Sequence, residues 1–159
     1  MSTDKRNQYL DRAIELSRQG MQQNIGGPFG CVIVKNGEII GEGVNMVTSS
    51  NDPTAHAEIV AIREACKKLG RYQLEGCEIY SSCEPCPMCL GAIYWARPQR
   101  VIFANSRHDA AAVDFDDDFI YREINCTMPD RKIEFIHQPH ATALKVFEDW
   151  KKKEDKKKY

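Results

Sequence analysis

The sequence has 159 residues, 42% hydrophobic and 28% charged, which is typical of a single globular domain with a sizeable core. A net charge of −1 and a pI near 6.4 argue against a protein built mainly to bind nucleic acid, and no apolar run has the length of a membrane span. Because no signal peptide is recognisable, we expect a cytoplasmic protein, in which seven cysteines are thiols or metal ligands rather than disulfides.

The first third of the chain predicts a helix followed by a β-hairpin. The helix ends at residues 26–27, and its apolar face carries, at helical spacing, Leu10, Ile14, Ser17 and Met21. Residues 29–35 and 38–45 have the composition of two strands. Asn36-Gly37 between them is the strongest short signal for a hairpin turn.

Helices and strands alternate in the rest of the chain. Residues 48–52 are predicted to be a loop, and residues 52–54 to start a helix that ends at Gly70. The buried face of that helix is predicted to carry Ile59, Ile62, Cys66 and Leu69. The remaining predicted elements are strands at 78–82, 100–104 and 132–136, a helix at 87–96, and a final helix that packs Ala143, Val146 or Phe147, and Trp150. The pattern predicts one domain over residues 1–159 with an α/β fold, a three-layer α-β-α sandwich around a mixed five-stranded sheet.

Two short segments carry the chemistry of the chain: His56 with Glu58, and Cys86 with Cys89 directly after Pro85. The cysteines are three residues apart at a predicted helix start, so their sulfurs face one side and the positive helix end favours thiolates. With His56 they make three zinc ligands and leave an open position that can hold and ionise a water. His-x-Glu followed by Pro-Cys-x-x-Cys is the signature of the zinc nucleobase deaminases, in which the glutamate moves protons.

A closed structural zinc site is the alternative reading of the same residues. Cys83 precedes Cys86 by the spacing that separates Cys86 from Cys89, so Cys83 could be a fourth ligand. The three-ligand reading is favoured because Pro85 starts the helix after Cys83 and because Glu58 would have no task in a closed site. Taken singly, His56 would more often be a core histidine and Glu58 a solvated acid.

The chain resembles the cytidine and deoxycytidylate deaminase superfamily over nearly its whole length. The segments that carry this resemblance are residues 26–30, the strand end at Asn45, and residues 51–58 and 82–89. Within the superfamily the chain is most similar to the small bacterial guanine deaminases, through residues 91–98, residues 115–121 and a terminal Lys-Lys-Tyr. The resemblance implies a cytidine deaminase-like fold, one Zn²⁺ per subunit, and hydrolysis of guanine to xanthine and ammonia.

The resemblance also implies a role for each site residue. The zinc ligands would be His56, Cys86 and Cys89. Glu58 would shuttle protons, Asn45 would hydrogen-bond the purine, and Phe29 would stack on or wall its ring. Asp117 would accept hydrogen bonds from the N–H edge of guanine and serve as a second proton shuttle. Trp95 would line the pocket, or else belong to the core of its helix.

The acidic run at 114–118 and the C-terminal residues have plainer readings beside the functional ones. Acid-rich loops are usually solvated, but apolar residues interleave with these acids and favour a packed segment, so we assign a function to Asp117 and leave Asp116 and Asp118 open. Residues 137–159 are predicted to form a helix and a charged, frayed tail. The resemblance implies instead a homodimer in which this region is swapped between subunits and Tyr159 caps the partner's substrate site.

Several rival functions remain at this point. A guanosine deaminase differs only in a pocket that admits ribose. A tRNA-specific adenosine deaminase shares the metal motif but needs a basic face, whereas the acids at 114–118 would repel phosphate. A non-catalytic zinc-binding protein on the same fold would not need Glu58, and cytosine or cytidine deamination fits the acidic segment less well. We expect a small purine base as the partner, without a membrane or nucleic acid.

Overall fold

The computed structural model describes residues 3–115 and 117–157. Its α-helices are α1 (Thr3–Gln22), α2 (Val47–Ser50), α3 (Ala57–Leu69), α4 (Pro87–Ala96), α5 (Arg107–Ala111), α6 (Asp118–Asn125) and α7 (Ala141–Lys152), with a 3-10 helix at Met128–Asp130. Its strands are β1 (Gly30–Lys35), β2 (Glu38–Val44), β3 (Cys77–Cys83) and β4 (Arg100–Asn105). The chain divides into two compact units between Ile120 and Tyr121. Among the described helices, none combines the length and apolar character that a membrane crossing requires.

The strands of the first unit form one mixed sheet in the order β2-β1-β3-β4. Strand β1 pairs antiparallel with β2 and with β3, and β3 pairs parallel with β4. The β1–β2 hairpin turns at Asn36 and Gly37, whose φ values of 52° and 84° are those that a tight two-residue turn requires. Helix α4 connects β3 to β4. Because these two strands are parallel, their carboxyl ends lie at the same edge of the sheet.

Helices cover both faces of this sheet. On one face the core is formed by α1 and the sheet, through Leu16, Val32, Val34 and Tyr80. On the other face α3 and α4 contribute Ala57, Ala61, Ala65, Ile93 and Ala96, packed on Cys31, Ile33 and Ile79. Successive residues of a strand point to opposite faces, so β1 serves both cores. The first unit is therefore a three-layer α-β-α arrangement, as the sequence predicts.

A fifth strand is not found among the described residues. Residues 132–136, predicted to be that strand, have no regular secondary structure, and the side chains of Ile133, Phe135 and Ile136 are exposed. A strand needs the backbone of a partner strand as well as an alternating sequence, and this segment has the second without the first. Helix α7 forms where predicted, but its large apolar side chains are exposed: Leu144, Val146, Phe147 and Trp150.

The chain just before α3 differs from its prediction. Residues 48–52, predicted to be a loop, include part of the single-turn helix α2. Helix α3 begins at Ala57 rather than at 52–54, because the Asp52 carboxylate accepts hydrogen bonds from the Thr54 N–H (2.8 Å) and hydroxyl (2.7 Å) and closes a local turn. The end of α3 at Gly70, in the left-handed conformation with φ of 63°, is as predicted.

The buried face of α1 also differs from the predicted one. Its most buried residues are Ala13, Leu16 and Gly20, whereas Met21 is 48% exposed. The cause is a close approach of α1 to β1, where a Cβ on Gly30 would lie only 2.2 Å from the Ala13 carbonyl oxygen. The helix face that packs on the sheet is therefore the one with the small residues Ala13 and Gly20, which hydrophobic periodicity does not reveal.

A second close approach, between β2 and α3, positions the start of α3. A Cβ on Gly43 would lie 2.1 Å from the Ala57 carbonyl oxygen, and one on Gly41 would lie 2.6 Å from the Ala61 carbonyl oxygen. Helix and strand therefore touch backbone to backbone. Because His56 and Glu58 flank Ala57 in the chain, this contact also fixes their positions.

We expect Gly43→Ala to lower the free energy of unfolding by about 1–3 kcal/mol, because the added methyl group must push α3 away from β2. Gly91→Ala on α4 is the matched control, since nothing lies within 4 Å of an added Cβ there and alanine favours a helix by about 1 kcal/mol. Urea unfolding of both variants measures the difference. Equal stability of Gly43→Ala and the wild type would contradict the tight contact.

Candidate active site

The first residues of α3 and α4 meet and bring three metal-ligating side chains together. His56 is the N-cap of α3, and Cys86 is the N-cap of α4 with a proline at the following position. The His56 Nδ1 atom lies 3.5 Å from the Cys86 Sγ and 3.6 Å from the Cys89 Sγ. The ligand atoms of these three residues lie within 4.8 Å of one another.

The spacing of these atoms fits a zinc ion. Bonds of about 2.3 Å to sulfur and about 2.0 Å to nitrogen at tetrahedral angles place sulfur and nitrogen roughly 3.5 Å apart. Two cysteine sulfurs and one imidazole nitrogen are also the donors that zinc prefers. Three protein ligands leave one position open, which is the arrangement of catalytic rather than structural zinc sites.

The pKa values of the two cysteines of the cluster are shifted in opposite directions. Hydrogen bonds from the Cys89 thiol, the His56 ring and the Cys89 backbone N–H lower the pKa of Cys86 to about 4. The pKa of Cys89 is raised, first because its thiol donates to Cys86 and second because it is buried. Hydrogen bonding to Cys86 likewise raises the pKa of His56. The start of α4 therefore stabilises a thiolate at Cys86.

Cys83 lies apart from this cluster. Its thiol is buried and points to the carbonyl oxygen of Ser106, 3.6 Å from the sulfur. Burial raises the pKa of Cys83 to about 11, so the group stays a neutral thiol. The geometry supports three ligands rather than the closed four-ligand alternative.

Glu58 is a buried acid beside the cluster, only 6% exposed. Its Oε1 accepts a hydrogen bond of 3.1 Å from the Ser81 hydroxyl, and its Oε2 lies 3.5 Å from the Cys89 sulfur. Burial is the main cause of the raised pKa of Glu58. A fixed carboxyl group whose pKa is shifted toward neutrality is suited to accept and return protons.

A cavity of about 380 Å³ opens next to these groups. Its lining includes six of the residues predicted from the sequence, namely Phe29, Asn45, His56, Glu58, Cys86 and Asp117. The other lining residues are Gly27, Val47, Thr48, Cys83, Glu84, Ala110 and Phe115. The volume suits a small organic ligand.

The side chain of Asn45 is held in one orientation at this cavity. Its Oδ1 accepts hydrogen bonds from the backbone N–H groups of Gly27 (3.2 Å) and Val47 (3.3 Å). A Cβ on Gly26 would lie 2.5 Å from the same oxygen, so only glycine allows this approach. With Oδ1 engaged by two donors, the NH₂ group is the part of Asn45 that can donate to a ligand.

Asp117 reaches the cavity from the start of α6. Its carbonyl oxygen accepts a hydrogen bond from the Ile120 N–H (2.9 Å), so Asp117 stands at the N-cap position of α6. Its negative charge contributes to the raised pKa of His56, which lines the same cavity. Phe29 lies on the cavity wall, with the ring of Phe115 packed edge-on against it at 4.9 Å between centroids.

One predicted site residue among those described, Trp95, is brought neither to the metal cluster nor to the cavity. Trp95 is 65% exposed on α4 and belongs neither to the cavity lining nor to the core of its helix. The reason is that α4 turns Cys89, Ile93 and Ala96 inward, and Trp95 lies on the other side of the helix. Tyr159 and Asp116 lie outside the described residues.

Several lining residues carry a signal that sequence reasoning passed over. Glu84 directly precedes the Pro-Cys motif, and Val47 and Thr48 follow Asn45 closely. Phe115 is one of the apolar residues that interleave with the acids at 114–118, where the sequence already predicts a packed segment, but that prediction does not place it at the cavity. Ala110 has no such signal, because an alanine in a short helix is unremarkable in any sequence.

We expect Cys83→Ala to retain one zinc per chain, because its thiol faces the Ser106 carbonyl rather than the cluster. Cys86→Ala and Cys89→Ala should lose the metal and unfold at lower temperature, since ligation and folding are coupled. Elemental analysis of the purified proteins and thermal unfolding give both quantities. Loss of zinc from Cys83→Ala would establish the four-ligand site instead.

Comparison with known proteins places the chain in a family. Residues 3–105 match the cytidine and deoxycytidylate deaminase zinc-binding region. Guanine deaminase of Bacillus subtilis (strain 168) is 56% identical over 151 residues, 95% of this chain and 97% of the relative. A crystal structure of guanine deaminase from Bacillus subtilis superposes with a TM-score of 0.95 at 53% identity and covers 100% of this chain and 99% of that one. A tRNA-specific adenosine deaminase of Aquifex aeolicus is 52% identical over 77 residues, 48% of this chain and 51% of that protein. The chain therefore belongs to the family of zinc-binding cytidine and deoxycytidylate deaminases.

Proposed function

We propose that the chain is a zinc-dependent hydrolase that converts guanine and water to xanthine and ammonia. The observation that carries the proposal is the buried carboxyl group of Glu58 beside a three-ligand metal cluster, on a cavity whose polar groups complement guanine. The guanine deaminase that aligns with 95% of the chain supports guanine as the substrate.

His56, Cys86 and Cys89 would hold the zinc ion, one in each subunit. Zinc held there supplies Lewis acidity at an open fourth position, where the pKa of water falls to about 7. The protein contributes a cluster whose sulfur and nitrogen atoms are already at ligating distances. It also stabilises the thiolate of Cys86 at the positive end of α4.

Glu58 is the group that we propose moves the protons. The Ser81 hydroxyl holds Oε1, so the carboxylate keeps one orientation beside the cluster. It would accept a proton from the attacking water and give it to the ring nitrogen beside the reacting carbon. It would then take the second proton of that water from the new hydroxyl group and pass it to the departing amine. Burial suits this cycle, because it raises the pKa of Glu58 toward the pKa values of the groups with which Glu58 would exchange protons.

Asn45 and Asp117 would bind different hydrogen-bonding groups of the purine, Asn45 an acceptor and Asp117 a donor. The NH₂ group of Asn45 donates, so it would face an acceptor such as O6 or N7 of guanine. The Asp117 carboxylate accepts, so it would face the N1–H donor, which adenine lacks. Asp117 would also serve as a second proton shuttle. Phe29 would form the wall against the purine ring.

Guanosine is a second candidate substrate, favoured by a second cavity of about 300 Å³. Its lining includes Asp117, which also lines the first cavity, and Arg107, His108 and Asp118. A ribose attached to the purine would meet hydrogen-bonding side chains there. A tRNA substrate is disfavoured, because acids at 114, 117 and 118 near the cavity would repel phosphate groups.

We also propose that the whole chain acts as one domain in a homodimer, with residues 137–159 crossing to the other subunit. Exposed apolar side chains of the second unit support this, since side chains 52–75% exposed call for a covering surface: Ile133, Phe135, Ile136, Leu144, Val146 and Phe147. The lysines that follow α7 are complementary in charge to the acids at 114–118. In such a dimer residues 132–136 could complete a fifth strand and Tyr159 could cap the partner's cavity. The cytoplasmic location stays a prediction from the sequence.

We expect purified, zinc-loaded protein to release ammonia from guanine and little from guanosine, cytosine, cytidine, adenine or adenosine-containing tRNA. The reason is that only guanine offers the N1–H donor and the acceptor pattern without a bulky substituent. A coupled ammonia assay over this panel measures the result. Release from guanosine at a comparable kcat/KM would replace the free-base assignment, and silence on every substrate would favour a non-catalytic zinc protein.

Glu58→Gln is expected to keep its zinc and lose turnover by at least about a hundredfold, because only the proton shuttle is removed. The matched control is Glu64→Gln, an exposed glutamate on the same helix α3. Zinc content and ammonia release are measured on both variants. Loss of zinc from Glu58→Gln would place Glu58 among the ligands and contradict its assigned role.

Removal of Tyr159 alone is expected to raise the KM for guanine about tenfold while the protein remains a dimer, because an aromatic cap is lost. Tyr159→Phe keeps the ring and serves as the control. Light scattering coupled to size-exclusion chromatography gives the oligomeric state. A monomeric wild type, or an unchanged KM without Tyr159, would overturn the crossing of the tail.

A further inference from the structure

Phe115 is an aromatic residue of the cavity to which the proposed reaction gives no task. Its ring packs against the ring of Phe29 with centroids 4.9 Å apart and planes at 88°, an edge-to-face contact. Glycine at position 27 leaves space for this ring, because a Cβ there would lie 3.2 Å from its Cε1 and Cζ atoms. The ring thus fits a site formed by Gly27 and Phe29.

The backbone turn that precedes Phe115 aims its side chain at this place. Asp114 has a left-handed conformation with φ of 69°. Its N–H donates to the Ala111 carbonyl (3.2 Å), and the Phe115 N–H donates to the Ala110 carbonyl (3.1 Å). This is the Schellman pattern at the end of a helix, in which the residue after the left-handed one packs back on the last turn. Ala110, on that turn, is buried and lines the same cavity.

Anchoring of Phe115 restricts Asp117, because only one residue lies between them and their Cα atoms are two residue steps apart. Two residues span at most about 7 Å, so a fixed Phe115 keeps the Asp117 backbone near the cavity. On its other side Asp117 is tied to the first turn of α6 through the Ile120 N–H. A side chain held from both sides keeps its carboxylate at the cavity wall.

We propose that Phe115 is a positioning residue, which holds the Asp117 carboxylate at the purine cavity by docking its ring on Phe29 and Gly27. The inference rests on the proposed function, in which Asp117 binds the purine. It implies that affinity for guanine depends on an aromatic contact that acts through a carboxylate, whereas zinc binding and the Glu58 proton shuttle do not depend on it.

The first test is a comparison of aromatic substitutions. Phe115→Ala is expected to raise the KM for guanine about ten- to hundredfold, the cost of a lost hydrogen bond to a charged group, with a smaller change in kcat. Phe115→Tyr keeps the ring and should restore most of the affinity. Phe119→Ala is the matched control, since Phe119 is 46% exposed and lines neither cavity. Zinc content should be unchanged in all three.

A double-mutant cycle separates positioning from direct contact with the purine. In an Asp117→Asn background, Phe115→Ala should have little further effect on KM, because both substitutions remove the same interaction. Multiplicative effects of the two substitutions would show that Phe115 acts independently of Asp117 and would overturn the inference.

A second test alters the turn that positions Phe115 and leaves its ring unchanged. Asp114→Val and Asp114→Gly remove the same charge, but a β-branched residue disfavours the left-handed conformation that glycine adopts readily. We expect Asp114→Val to raise the KM as Phe115→Ala does, and Asp114→Gly to keep a KM near that of the wild type. Equal KM values for the two variants would contradict the role of the turn.

The outcomes distinguish the inference from the function on which it rests. A wild type inactive on guanine, or an Asp117→Asn variant with wild-type KM, would overturn the proposed function or its assignment of Asp117. An impaired Asp117→Asn together with an unimpaired Phe115→Ala would overturn only the inference. Equilibrium binding of guanine to Glu58→Gln, with and without Phe115→Ala, gives the same comparison without turnover.

Discussion

The backbone contact between β2 and α3 decides where the chemistry of this chain can take place. Glycines at 41 and 43 let the strand touch the carbonyl groups of α3, so the helix lies closer to the sheet than ordinary side chains would permit. Ala57, at the point of contact, has His56 and Glu58 as its chain neighbours. The relative position of a metal ligand and an acid is thus determined by backbone atoms, which move less than side chains do.

Residues at the starts of three helices line one cavity. Cys86 caps α4, Glu58 lies in the first turn of α3, and Asp117 precedes α6. Each of these groups carries negative charge when ionised, and a helix N-terminus stabilises such charge. The fold can therefore gather two carboxylates and a thiolate in a small volume, to which a dication and the N–H groups of a purine are complementary. The fold, rather than any single residue, brings these three groups together.

Turn, proline and glycine residues predicted correctly those helix and hairpin ends that depend only on neighbouring residues. The hairpin at Asn36-Gly37, the helix that starts after Cys86 and the end of α3 at Gly70 follow from turn, proline and glycine chemistry within a few residues. The wrong predictions involve contacts that are distant in sequence. Which face of α1 is buried depends on its approach to Gly30, and a strand at 132–136 depends on a partner strand. Likewise, the metal ligands were predictable as a motif, whereas the fixed amide of Asn45 and the docking of Phe115 required the folded chain.

The two tryptophans of the sequence have a spectroscopic consequence. Trp95 on α4 is 65% exposed and Trp150 on α7 is 45% exposed, so neither indole belongs to the two cores around the sheet. From these exposures we expect the intrinsic fluorescence of the folded chain to have the red-shifted emission of indole in contact with water. Melting of the cores would change this emission little, whereas covering α4 or α7 with another protein surface would shift it to the blue. In this chain, tryptophan emission is a reporter of association rather than of folding.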